Sequence, residues 1–380
     1  MTAHPLLLYP TSADDPLFRY ASGFGVEQGL YVRLGDREDV LVVSGLELER
    51  ARAESAAAEI LDRVDVGWRE RRDVLGAWAD VAAGLLRRRG VSAVRVAPTL
   101  PAAVYEELRR SGVGMEIDAD LFVEERRRKT DEQLEGIRAA QRAAEAACRE
   151  VVRGLAEATP RDGVLMRGGE PLTSEWLMAR AQLVLGEHGC GTDEMIVCGA
   201  PDSALPHARG TGPIRAGGPV VIDIFPRHRA SGYHGDLTRT VVVGDVPPRV
   251  RDMHRACLAA LDEALRSLRA GADGRDVHRA ACRVLVDAGY GTLTEGLEGE
   301  GDVPRMVHST GHGIGLEVHE APQLRDLSWP LAARDVVTVE PGLYLLGVGG
   351  VRVEDTVAVT DEGHDNLTTL TRDLEPDAYL

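Results

Sequence analysis

The chain has 380 residues, 44 basic against 61 acidic, and a formal charge of −17 at pH 7. Such acidity disfavours nucleic acid and anionic membranes, which ask for a basic face, and no stretch reaches the roughly 18 apolar residues of a membrane helix. With a single lysine, Lys129, a single asparagine, Asn366, and no Gly-x-Ser-x-Gly, the sequence lends no support to Schiff-base chemistry, a phosphate-cradling P-loop or the common serine and cysteine hydrolase patterns.

The length suggests two to three domains. Residues 1–125 alternate short apolar runs with helical ones. Strands are expected at 6–9, 29–33, 40–44, 93–97 and 114–117, and helices at 46–63, 73–89 and 101–110 by their 3.6-residue period. That alternation predicts a small α/β domain. His4 stands alone there and reads as a surface residue. The first ten residues carry no basic segment and only a short apolar run, so no secretory signal is expected. The five cysteines form no CxxC pair and read as buried thiols in a reducing compartment, which predicts a cytoplasmic location.

Charge concentrates at 124–130 (EERRRKT), which we take as the boundary between domains 1–125 and 126–380. Its basic run reads as a solvated face or linker. Thr130 is placed to cap a helix over 131–157, with Asp131 and Glu132 in its first turn and an Ala-rich packing face. A second helix follows at 171–188. Strands are expected at 195–198, 220–224 and 240–243, the last two joined by a hairpin-like connection. Helices at 248–270 and 276–288 come next, then a Gly/Glu-rich stretch, 289–304, read as a mobile loop. Strands at 336–340 and 351–359 close the chain. Helices with an antiparallel sheet predict an α+β domain.

The densest stretch is 308–320, HSTGHGIGLEVHE, with His308, His312 and His319. Gly311, Gly313 and Gly315 surround His312; they argue against a helix and for backbone that something approaches closely. Alone, this is equally a Gly-rich turn and a ligand site. Four carboxylates tip the balance. Asp223 closes VVID; Asp236 lies 236 − 223 = 13 residues on, in GYHGDLTRT; Glu340 ends VVTVE; Glu354 lies inside GVRVEDTV. One acid in a strand run commonly faces outward. Four of them plus an imidazole ask for a cation, because a buried charge is costly unless paired or bound. If the runs around Asp223 and Asp236 pair, both carboxylates can point to one face. The donor set is hard and oxygen-rich, suited to Mn²⁺, Fe²⁺ or Co²⁺. It also suits two cations about 3.5–4 Å apart that share a hydroxide and polarise a carbonyl.

The motifs VVID, GYHGDLTRT, HSTGHGIGLEVHEAP, VTVEPGLY and GVRVEDTVAV, in that order, resemble the pita-bread metallopeptidases: methionine aminopeptidase, aminopeptidase P and prolidase. The match is nearest to the Xaa-Pro branch. The resemblance covers the whole chain and implies a creatinase-like N-terminal α/β domain before an α+β pita-bread catalytic domain. It implies two divalent metal ions, manganese first, with cobalt, iron or zinc as alternatives. Asp223 would chelate one, Asp236 and Glu354 would bridge both, and His312 and Glu340 would complete the other. Glu340 would also handle the proton of the bridging water. His207 is implied near the scissile bond, and His319 beside the substrate carbonyl or tetrahedral intermediate. His308 and Arg352 would line the proline side, with Tyr344 hydrogen-bonding behind them. The implied reaction is hydrolysis of the bond before proline in di- or oligopeptides, with the metal-bridging hydroxide as nucleophile, by a homodimer. The two aspartates stand further apart than the family usually has them, which predicts a longer hairpin tip rather than displaced ligands. A creatinase-like small-molecule C–N hydrolase on the same scaffold, or a non-catalytic binding protein, would be expected to lose ligands, and all five are present; a lyase for a small sulfur compound is the other alternative. Dipeptidase and aminopeptidase remain open alternatives.

Overall fold

A computed structural model describes residues 4–35, 38–293 and 303–380. Most of the stretch 289–304 read above as a mobile loop, residues 294–302, lies outside the described residues. The chain divides into two compact units, Met1–Arg126 and Arg127–Leu380.

The first unit is a six-stranded mixed sheet. Its order is Glu59–Asp62, Glu38–Val43, Leu30–Gly35, Leu6–Leu8, Ala93–Val96, Gly114–Ile117. Alternation along the strands feeds two cores. Leu7, Val32, Val40, Val42 and Val94 pack with Trp78 of helix Val74–Arg88 and with Val104 and Leu108 of helix Ala102–Arg110. Leu6, Leu8, Tyr31, Leu41 and Val43 pack with Phe18 and Ala51, on helices Pro16–Ser22 and Leu48–Glu54. The helix expected over 46–63 is thus only seven residues long. Glu59–Asp62 is instead an edge strand pairing in parallel with Glu38–Val43, because Ile60 and Leu61 gain apolar neighbours on the sheet.

The second unit is α+β, with antiparallel sheets. Helix Asp131–Ala156 begins with a reciprocal cap: Thr130 Oγ1 accepts from the Gln133 N–H, and Gln133 Oε1 accepts from the Thr130 N–H. Its small face, Ala143, Ala144 and Ala147, packs with helix Ser174–Glu187 and with Ile222, Leu237 and Val241. Those three belong to the sheet Ile196–Gly199, Pro219–Ile224, Leu237–Val242. Helices Pro248–Ser267 and Gly274–Asp287 form a second such layer. They cover Val337, Val339 and Val357 of strands Val336–Val339 and Asp355–Val359, and Leu343 and Val351 of the hairpin Gly342–Leu345/Gly349–Arg352.

Two readings change here. The basic run is no solvated linker: Arg127 and Lys129 are buried. Arg127 donates to Asp335 at 2.8 and 3.0 Å, and Lys129 Nζ to Glu320 at 2.6 Å. Charge so buried persists only with a matched partner, and both partners lie about 200 residues downstream. Nor is 351–359 one strand. The chain leaves one sheet at Arg352 and enters another at Asp355, and Glu354 sits at the crossing.

Candidate metal centre

Strands and their ends deliver the four acids. Pro219–Ile224 and Leu237–Val242 pair antiparallel with Asp223 opposite Thr238, and Asp236 immediately precedes the second strand. Their connection contains a short strand, Arg227–His228, that pairs with Cys190–Gly191. The backbone of Asp236 is gripped from helix Asp131–Ala156 by fully buried Gln141. Its Nε2 donates to the Asp236 carbonyl and its Oε1 accepts from the Asp236 N–H, both at 2.9 Å. Gly235 permits that approach, since a Cβ there would stand 2.6 Å from the Gln141 nitrogen.

His312 occupies the middle of Gly311–Gly313, a strand squeezed between Glu320–Leu324 and Val336–Val339. What approaches the glycines is neighbouring backbone. A Cβ on Gly311 would lie 1.9 Å from the Thr338 carbonyl oxygen, and one on Gly313 2.2 Å from that of Ala321. Gly311→Ala is therefore expected to cost about 1–3 kcal/mol or more by overpacking. Because Thr338 Oγ1 also accepts from the His312 N–H at 3.1 Å, the same variant should weaken metal affinity. Thermal melts and metal titration on the one protein should fall together; a melt lowered with affinity unchanged would break the link.

Glu340 follows Val336–Val339, its N–H donating to the Thr310 carbonyl at 2.8 Å. Glu354 is held by Thr238, whose carbonyl accepts from its N–H at 3.1 Å and whose hydroxyl donates to its carboxylate at 2.7 Å. Arg239, fully buried, donates to the Glu354 carbonyl, to Asp355 and to the Thr371 and Leu370 carbonyls. It ties the crossing to the C-terminal segment.

Among the described residues, one ligand atom each of Asp236, His312 and Glu354 lie within 4.8 Å of one another, and all three side chains are buried. His312 Nε2 stands 3.5 Å from Glu340 and 3.8 Å from Asp236. Its Nδ1 lies 3.2 Å from the Gly313 carbonyl, so Nδ1 carries the proton and Nε2 presents a lone pair to the anions. Burial, helped by His319, lowers the His312 pKa to about 3, so no second proton relieves that contact near neutrality. Burial raises Asp236 and Glu354 well above the usual carboxylate range. Glu354, Asp223 and Glu340 add to the effect on Asp236; Glu340 and Asp223 do so on Glu354. Burial also lifts Glu340 to about 7. A lone pair and three crowded carboxylates facing one another fit a cation among them.

Asp223 differs. Its carboxylate accepts from Arg352 Nη2 at 2.6 Å, which joins a residue expected on the metal to one expected on the substrate side. Arg352 Nη1 donates to the Tyr344 hydroxyl at 2.8 Å, and that hydroxyl meets His308 Nε2 at 2.8 Å. His308 Nδ1 faces the Ser309 carbonyl at 2.7 Å. A carbonyl can only accept, so Nδ1 is protonated, Nε2 accepts, and Tyr344 donates to it. Burial lowers the His308 pKa to about 3, keeping the ring neutral.

His207, His308, His319 and Arg352 line, with the four acids and His312, a cavity of about 730 Å³ whose other walls include Met195, Ile196, Phe225 and Val318. Tyr344 stands buried behind that wall. The His319 ring meets His312 edge-on at 4.2 Å. Reading the sequence missed Gln141, Thr238, Thr338 and Arg239. The available signals were an amide on an otherwise Ala-rich helix face, and threonines alternating through runs that carry acids.

The fold and the cluster are those of a carboxylate-rich, divalent-metal enzyme. The sequence profile of metallopeptidase family M24 matches residues 135–361, and the chain belongs to that family. It is 26% identical over 369 residues to a Xaa-Pro dipeptidase of Pyrococcus horikoshii, covering 95% of this chain and 93% of that one. An X-Pro aminopeptidase structure from Thermotoga maritima superposes with a TM-score of 0.80 at 24% identity, over 98% and 97% of the two chains. The dipeptidase PepE of Mycobacterium ulcerans does so with 0.76 at 28%, over 98% and 93%. The fold is the two-domain pita-bread architecture.

Proposed function

We propose that this metallopeptidase hydrolyses the bond preceding proline in short peptides with two divalent cations. The observation that carries the reading is the buried cluster Asp236–His312–Glu354 on the floor of the cavity, with Glu340 3.5 Å from His312. Asp236, Glu354, Glu340, His312 and Asp223 would hold the metals, manganese first. Bound there, the pair would supply an activated water and polarise the scissile carbonyl. Glu340, a carboxylate beside that water, would take up and return its proton. His207 and His319 face the cavity where a substrate carbonyl would lie. Neutral His308, fixed by Tyr344, and the Arg352 behind it would shape the proline side. A homodimer and a cytoplasmic setting belong to this reading; the five cysteines are all buried and form no disulfide.

The test is hydrolysis by chelated enzyme to which Mn²⁺ or Co²⁺ is returned. A Xaa-Pro dipeptide and a Xaa-Pro-Yaa tripeptide should be cleaved, and a matched Xaa-Ala peptide left intact. The ratio of the first two rates distinguishes dipeptidase from aminopeptidase. Equal cleavage of the Xaa-Ala control would overturn the proline assignment.

A further inference from the structure

We propose that Arg209 reads a carboxylate of the substrate, released to it by Glu194. This rests on the peptidase reading above. The described cavity wall carries five acids: Asp223, Asp236, Glu340, Glu354 and Glu194. On that reading two divalent cations offset Asp223, Asp236, Glu340 and Glu354, so the charged side chains left for a substrate carboxylate to meet are Glu194 and the arginines. The described lining residues include two arginines. Arg352 is already engaged: its side chain is 4% exposed, Nη2 is on Asp223, Nη1 on Tyr344 and the Pro206 carbonyl, and Nε on Thr238.

Arg209 is placed differently. Its side chain is 59% exposed and paired with Glu194, itself 56% exposed. Solvent screens such a pair and it contributes little, so the guanidinium exchanges partners easily. Its backbone, by contrast, is fixed. The Arg209 carbonyl accepts from the Val197 N–H at 3.0 Å, and at the next residue a Cβ on Gly210 would meet the Val197 carbonyl at 2.0 Å. Val197 neighbours Ile196, which pairs across the sheet with Asp223. A mobile cationic head is therefore anchored on a rigid edge one strand from the acids. A guanidinium offers a carboxylate two parallel N–H donors. The Glu194 carboxylate holds the place that a substrate carboxylate would take.

Two sources supply that group: the C-terminus of a dipeptide, or an acidic side chain before the proline. The experiment separates them with metal-loaded wild type, Arg209→Met and Glu194→Gln. The substrates are Ala-Pro, Ala-Pro amide, Glu-Pro amide and Gln-Pro amide. Arg209→Met is expected to raise KM about tenfold for a carboxylate-bearing substrate with kcat near wild type, since a charge-assisted pair is lost. Glu194→Gln is expected to lower KM for the same substrate. A change confined to Ala-Pro assigns the C-terminal carboxylate, and one confined to Glu-Pro amide assigns the side chain. KM values within about twofold of wild type for all four substrates, or a uniform fall in kcat, overturn the proposal. If wild type cleaves none of the proline peptides, the proline reading fails by itself. Arg209 is then judged by the same comparison on Ala-Ala against Ala-Ala amide.

Discussion

Asp236→Asn is expected to abolish metal-dependent turnover while raising the melting temperature of the chelated protein. The two effects have one cause. Asp236 is 4% exposed, and burial together with Glu354, Asp223 and Glu340 pushes its pKa well up. Keeping it ionised without a cation therefore destabilises the fold. The amide removes the ionisable group at constant shape, and its N–H groups can donate to neighbouring carboxylates. A gain of about 2 kcal/mol would appear as roughly 4–8 °C in a domain of this size. The backbone clamp from Gln141 acts on the main chain and survives the change, so the variant should fold. With saturating Mn²⁺ the order reverses, because only a state that binds ligand gains from it. Removing outer partners of a metal costs about 10–100-fold, so losing a ligand should exceed about 100-fold in activity. Paired melts with chelator and with metal check both halves. A variant less stable than wild type in chelator would show that Asp236 is not held against repulsion.

The acids and His312 were legible because their chemistry is local: each interrupts an apolar run or sits among glycines. The contacts that hold them were not. Gln141 reaches Asp236 across 95 positions, and Thr238 reaches Glu354 across 116; no periodicity reports either. Lys129 and Arg127 looked like solvent-facing charge because their partners, Glu320 and Asp335, lie about 200 residues away. The break at Glu354 was hidden for a related reason. Both flanking runs are apolar, and only the change of sheet separates them. Glu59–Asp62 shows the same limit in the first unit, where an amphipathic run extended the expected helix until a parallel neighbour claimed its end as strand. Arg352 was placed near the substrate from its motif, but its hold on Asp223 depends on a hairpin returning beside a different sheet.

Without metal, the protein is expected to lose stability as pH rises above about 6.5, where free histidine is already neutral, and with metal to gain it. Two groups of residues oppose each other below that point. His308 and His312, lowered to about 3, are protonated in the unfolded chain but not in the folded one between about 3 and 6.5, so their contribution rises with pH across that window. The carboxylates act in the other direction. Glu340 keeps its proton in the fold up to about 7, while the unfolded chain has released it by about 4.5. Stability from that proton is complete below the unfolded value and is lost as pH climbs to the folded one. Above about 6.5 the histidines no longer compensate. Burial and the neighbouring acids raise Asp236 and Glu354 in the same direction, so they add to the loss. Each proton retained only by the folded state costs roughly 1.4 kcal/mol per pH unit in that region. Cations bind the deprotonated acids, so rising pH strengthens their hold and the slope changes sign. Denaturant melts at pH 6.5, 7.5 and 8.5, in chelator and in Mn²⁺, measure both slopes. A chelated protein that keeps its stability across this range would mean that Asp236 and Glu354 are ionised in the metal-free fold. In Glu354→Gln the chelated slope should flatten, because that variant removes one of the three carboxyl groups, with Glu340 and Asp236, that generate it.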